Sequence, residues 1–170
     1  VYDDATHRTW VEPADAPDAP GVGTMVMGML DEGTANRTAQ QIADDVSAVG
    51  GRLSTWASPD ASYIRIAALK DKVDGALDVM ADVVLNPAFR QSDLDRVKQA
   101  TLATIKQEMV DPYGLAVRVL PPLLYGPKHA YSQPLTGSGT EDSVARATPE
   151  MLSTFHRTWF KPNNATLMAV

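Results

Sequence analysis

Three histidines, His7, His129 and His156, carry the most versatile side chains in this sequence, since a neutral imidazole can bind a metal or move a proton near neutral pH. None of them pairs with a second histidine or a carboxylate at a helical spacing that suits a metal. His7 lies in an irregular start and reads as a solvated surface residue, whereas His156, beside Phe155 and Trp159, reads as a packing neighbour. Cysteine is absent, which excludes disulfides, Cys-based zinc sites and thiol nucleophiles. No G-x-S-x-G elbow supports serine hydrolysis. Residues 136–139 (TGSG) lack both the Lys-Ser/Thr ending and the preceding strand of a phosphate loop. Met25, Met27 and Met29 alternate on a short apolar helix, a pattern better explained by core filling than by a methionine-rich binding groove.

The elements that hold these residues follow from periodicity. Val22, Met25, Val26, Met29 and Leu30 keep helical spacing until Gly33. Thr38 and Gln41 form a capping-box signature that opens a second helix through Val49, stopped by Gly50-Gly51. Residues 52–58 and 61–69 flank Pro59-Asp60 and predict an antiparallel hairpin. Asp71 is expected to cap a helix with the stripe Val73, Ala76, Leu77, Met80, Val83 and Val84, which Asn86-Pro87 ends. Ser92 and Asp95 open a long helix to Val110, and Asp111-Pro112 separates it from a further helix over 113–125. Residues 126–142 read as a loop. Thr148-Pro149-Glu150 starts a last helix over 149–160, and 165–170 is expected to be a strand. Clustered strands paired by a hairpin favour an α+β class, an antiparallel sheet with helices packed on it, over a parallel doubly wound sheet. Residues 1–20, with Pro13, Pro17 and Pro20, form an arm or strand plus loop, and 21–170 one domain.

A chain of 170 residues with 44% apolar and 21% charged residues is expected to be globular and to bury a sizeable core. Its formal charge of −6, without a basic stripe, argues against nucleic acid as a partner. No apolar run approaches the roughly 18 residues of a membrane span. The chain opens without Met and stops on the apolar run 165–170, and it is read as an excised piece of something longer.

The ordered set of segments is similar to the repeating unit of the pitrilysin/insulinase zinc peptidases, the group that includes mitochondrial processing peptidase and the core proteins of respiratory bc1 complexes. The segments are GVGTMVMGMLDEGT (21–34), VGGRLSTWASPDASYIRI (49–66), DVVLNPAF (82–89), KQEMVDPYGLA (106–116), LLYGPKHAYSQPLTG (123–137) and TPEMLSTFHRTWFKPNNATLMAV (148–170). They keep the family's order with nearly family spacing from residue 20 onward, while the first 20 residues fit worse.

The resemblance implies a zinc motif, H-x-x-E-H, on the first helix, with two histidines at i and i+4 and a glutamate that activates zinc-bound water. In this sequence those positions fall on Thr24, Met27 and Gly28, so both histidines and the base are missing together. The family's third ligand, a glutamate on the long helix, corresponds to Glu108. On a helical wheel Glu108 falls inside the apolar stripe of Leu94, Val97, Leu102, Ile105 and Met109. It is read either as a relic of a ligand position or as a partly exposed Glu bonded to backbone or arginine. His129 matches a loop position of the family, and a structural role is favoured over substrate contact.

The implied role is that of a non-catalytic domain in a two-half metallopeptidase, forming chamber wall and substrate contacts. Zinc is then expected in the partner half that bears H-x-x-E-H, in the same chain or a separate subunit, with peptides as substrates. The alternative is a structural subunit of the bc1 core-protein type. Bacterial two-half relatives are often exported, which makes the periplasm the location by analogy alone.

Overall fold

The computed structural model describes residues 2–3, 8–9, 15, 19–126 and 129–170; His7 lies outside them. Strand β1 (Tyr2–Asp3) pairs antiparallel with β2 (Arg8–Thr9). Helix α1 (Val22–Met29) tightens into a 3₁₀ turn at Leu30–Glu32 and stops at Gly33, where φ is 147°. That φ strains any side chain and favours glycine, and a Cβ there would also displace the Arg90 guanidinium, 2.3 Å away. Helix α2 (Ala39–Ala48) starts on the expected box: Gln41 N–H donates to Thr38 Oγ1 at 3.2 Å, and Thr38 N–H to Gln41 Oε1 at 2.8 Å.

Strands β3 (Arg52–Ala57) and β4 (Ser62–Ala67) form the expected antiparallel hairpin, in register from Arg52↔Ala67 to Ala57↔Ser62. Period-two alternation puts Leu53, Ala57, Ile64 and Ile66 on the face packed against the core. Four helices follow: α3 (Val73–Leu85), α4 (Gln91–Val110), α5 (Pro112–Tyr125) and, after a 3₁₀ turn at Ala130–Ser132, the short α6 (Glu141–Arg146). The last helix, α7 (Pro149–Trp159), is capped by Thr148, whose hydroxyl accepts from Met151 N–H.

Helix α1 is the centre of the molecule and touches β3, α4 and α7. Its mean apolarity is high all round, which is the signature of a buried helix; Met25, Met27, Met29 and Leu30 are each at most 1% exposed. They meet Ile42 of α2, Val83 of α3, Leu94 and Ile105 of α4, and Leu152 and Phe155 of α7. Each such side chain contributes about 1.5–3 kcal/mol through burial. The fold is therefore α+β, with helices packed on one face of the β3–β4 hairpin. Among the described residues no helix is long and apolar enough to cross a membrane.

Several local expectations give way. Residues 165–170 join no ladder among the described residues, and Leu167 and Met168 are 74% and 83% exposed; a strand needs a second backbone to satisfy its amides, and none of the described ones pairs with it. Asp71 does not cap α3: it sits inside a 3₁₀ turn closed by Lys72 N–H to Leu69 O at 2.8 Å. Ser92 does not cap α4 either, because Phe89, buried at φ 43°, and Arg90, bonded to Thr34 O, turn the chain into the helix two residues earlier, with Arg90 at the N-cap. The α3 stripe is rotated: Val79 and Asp82 are buried, while Val73 and Leu77 are each 44% exposed. The last two residues of the expected loop, 141–142, open α6, whose reciprocal cap uses Thr140 with Ser143 rather than with Glu or Gln.

Candidate functional site

The N-terminus of α1 is fixed from both sides. Asp15 accepts from Gly21 N–H and Gly23 N–H, each at 2.6 Å, one bond to each oxygen. Burial pushes its carboxyl above the usual range, opposed by those two amides. Across the helix entry, Gly21 (φ 90°) and Gly139 (φ 72°) lie in backbone contact: a Cβ on Gly21 would sit 2.8 Å from Gly139 Cα. That approach brings residues 134–139 onto α1, and Ser143 Oγ secures it by donating to Pro20 O at 2.7 Å.

Below this junction α1, α4 and the 136–138 segment enclose a cleft of about 360 Å³ lined by Thr24, Gly28, Thr101, Thr104, Glu108, Thr136 and Ser138, among others. Thr24 and Gly28 are one helical turn apart and share this face. A Cβ on Gly28 would meet Val97 Cγ1 at 3.7 Å, an ordinary contact, so the cleft wall has room for a side chain there. Met27 is not in the cleft; it is 1% exposed and belongs to the core. The structure thus brings Thr24, Gly28 and Glu108 together and turns Met27 away. Thr101 and Thr104 escaped sequence reading, although both lie within two turns of Glu108 on α4.

Glu108 is bound by the chain itself. Arg118 Nη1 donates to its Oε2 at 2.6 Å, Ser138 Oγ at 2.7 Å and Thr136 Oγ1 at 3.3 Å. Arg118 also donates to Ser138 Oγ and, through Nη2, to Gly139 O, both at 2.7 Å. The two charged side chains are only 15% and 9% exposed. Of the two readings of Glu108, the arginine-bonded one describes its contacts. The TGSG segment supplies ligands for this ion pair. At the other end of the cleft Glu32 is bonded to Arg96.

The described histidines lie elsewhere. His129 accepts from Tyr131 N–H at 3.1 Å, and its ring stacks on Tyr125 and on Tyr131, which also contact each other. His156 bonds to Val84 O at 2.7 Å through Nε2 and contacts the rings of Phe89 and Phe160.

The insulinase (peptidase family M16) model matches residues 13–118. This chain belongs to the insulinase family. Similar to it is the peptidase M16 inactive domain from Pseudomonas fluorescens, 30% identical, with a TM-score of 0.78 over 86% of this chain and 35% of that one. The uncharacterized zinc protease YmxG of Bacillus subtilis is 23% identical over 90% of this chain and 37% of its own. The first half of the periplasmic protease PqqL from Escherichia coli shares the fold, with a TM-score of 0.75, 18% identity, and coverage of 91% of this chain and 34% of that half. This chain spans about a third of the length of these relatives.

Zinc in a peptidase of the insulinase family needs nitrogen or carboxylate ligands and an open position for water. The cleft offers hydroxyls and a glycine where α1 faces α4, and its carboxylates, Glu108 and Glu32, are committed to Arg118 and Arg96. Among the described residues no three His, Asp or Glu side chains converge to hold a metal. The residues present do not fit the ion.

Proposed function

We propose that this insulinase-family chain is a non-catalytic domain of a two-half zinc peptidase, with residues 21–170 acting as one domain. It forms chamber wall and peptide contacts opposite a zinc-bearing half. One observation carries the reading: the cleft between α1 and α4 is present, but Thr24 and Gly28 stand on its α1 wall and Glu108 is neutralised by Arg118. A peptidase site would need three ligands and a carboxylate base there; this cleft has shape without the chemistry. The likeness to an inactive domain of the same family supports the same conclusion.

The test pairs the chain with a half that bears H-x-x-E-H and follows unstructured peptides by mass spectrometry. The chain alone is expected to leave them intact with or without added zinc, and to retain far less than one zinc per chain after dialysis. Adding the chain to the catalytic half is expected to raise chelator-sensitive cleavage. Chelator-sensitive cleavage by the unmodified chain, or one tightly held zinc, would overturn the reading; no effect on the catalytic half would remove its chamber role.

A further inference from the structure

Most arginines described here are engaged. Arg37 binds Asp45, Asp78 and Asp82, Arg96 binds Glu32, Arg118 binds Glu108, and Arg146 binds Asp142. Arg90 donates to Thr34 O and Arg157 to Ser153 and Thr154. Arg52 and Arg65 differ: both are exposed, and neither forms a hydrogen bond or ion pair among the described residues. They also lie together. The register pairs Arg52 with Ala67, Ser54 with Arg65 and Trp56 with Tyr63, so these six residues share the hairpin face opposite Leu53, Ile64 and Ile66. Arg52 and Arg65 are therefore diagonal cross-strand neighbours, a geometry that sets such positions about 7–8 Å apart. Two like charges held at that spacing without a counter-ion among the described residues repel one another, in a chain whose net charge is −6.

The next row on the same face is an aromatic plane. Trp56 and Tyr63 stack with ring centroids 5.0 Å apart and 11° between planes, yet they remain 45% and 44% exposed. Exposed stacked rings beside uncompensated guanidinium groups present an apolar surface and a paired cation, the combination by which arginine forks grip carboxylates.

We propose that the solvent face of the β3–β4 hairpin is a docking surface for an acidic peptide segment. Arg52 and Arg65 receive its carboxylates, and the Trp56–Tyr63 plane receives a neighbouring apolar or aromatic side chain. Charge complementarity selects this occupant: a carboxylate between the two guanidinium groups relieves their repulsion, whereas a basic peptide increases it. The surface is independent of the cleft reading, because it faces away from α1.

The experiment measures binding of fluorescein-labelled peptides that alternate Glu with Phe, against Gln/Phe and Lys/Phe counterparts, by anisotropy. The Glu/Phe peptide is expected to bind at least tenfold more tightly than either counterpart and to weaken as salt rises. The double variant Arg52→Gln/Arg65→Gln removes no internal bond, so its circular dichroism should match the parent while Glu/Phe affinity falls at least tenfold. The double variant Arg157→Gln/Lys161→Gln removes the same charge elsewhere and should retain affinity. Equal binding of the three peptides, equal affinity in the two double variants, or no Glu/Phe binding at millimolar concentration each overturns the proposal. Self-association on sedimentation that Arg52→Gln/Arg65→Gln abolishes also overturns it, and assigns the face to a second copy of the chain.

Discussion

Two acid–arginine knots tie this molecule together, and they are built differently. At the α2–α3 junction Asp82 is 6% exposed and uses both oxygens: Thr34 Oγ1 and Arg37 Nη1 donate to Oδ2, both at 2.7 Å, while Asn36 and Asn86 donate to Oδ1. Burial alone would raise this carboxyl, but bonds from Thr34, Arg37, Asn86 and Asn36 outweigh it and hold the group well below the usual range. In the cleft, by contrast, every hydrogen bond described for Glu108 converges on Oε2. A carboxylate satisfied on both oxygens is committed to the fold. One held by a single oxygen at a cleft wall joins α4 to α5 and the 136–139 segment, and an amide can reproduce much of that job.

The largest effect should come from breaking the committed knot. Asp82→Ala leaves Arg37 with Asp45 and Asp78, which are more exposed, removes the acceptor of the buried Thr34 hydroxyl and of the Asn36 and Asn86 amides, and opens a gap where a buried carboxylate stood. Removing one partner of a buried pair costs about 3–5 kcal/mol, a fall in Tm of roughly 6–20 °C for a chain of this size. A shift of only a degree or two would show that the network is dispensable. Acid gives a second readout. Because the folded Asp82 carboxyl is depressed, its stabilisation is present above the unfolded value of about 3.9 and is lost as pH falls through the folded one. The parent should therefore lose more stability than Asp82→Asn on titration below about pH 4.

Glu108→Gln should cost less, about 1–2 kcal/mol. The amide oxygen can still accept from Arg118, which keeps Ser138 Oγ and Gly139 O as partners. Thermal melting alongside Asp82→Ala tests the ranking directly, and loss of folding in Glu108→Gln would invert it. A double-mutant cycle with Arg118→Met sharpens the comparison, since the coupling isolates the ion pair from the rest of the knot.

What was legible in the sequence divides along the same line. Thr38 with Gln41, Thr148-Pro149 and Pro59-Asp60 were readable because their signals act within a few residues, and the apolar period of α1 was readable because the helix is buried. Thr24, Gly28 and Glu108, singled out by likeness to a family, line one cleft, whereas Met27 packs into the core. Partners distant in sequence were not readable. Arg118 lies on the inner side of α5 with Gly114 and Pro121, while Leu120, Leu123 and Leu124 are exposed, so an amphipathic reading of that helix turns it inside out. The Asp15 cap spans six to eight residues rather than the usual two or three, and nothing local announces it. Asp71 and Ser92 carried good local signals that a 3₁₀ turn and the core anchor at Phe89 overrode.

The smallest effect tests a third way of burying a titratable group, without any charged partner. His156 is half-buried on α7, with Nε2 on Val84 O and the rings of Phe89 and Phe160 beside it. No carboxylate forms an ion pair with it among the described residues. Burial pushes its pKa below the ordinary value, and the Val84 carbonyl opposes that only in part. The folded state thus favours the neutral ring relative to the unfolded chain. Its contribution is intact above the unfolded value of about 6.5 and declines as pH falls through the folded one, two to three pH units above the window in which Asp82 acts. Between about pH 7.5 and 5.5 the Tm of the parent should fall slightly more than that of His156→Gln, which does not titrate. The difference should be smaller than the effect of either acid substitution, because solvent reaches part of the ring. Parallel curves for parent and variant would show that α7 accommodates the imidazolium, by rotation of the ring toward water, without loss of stability.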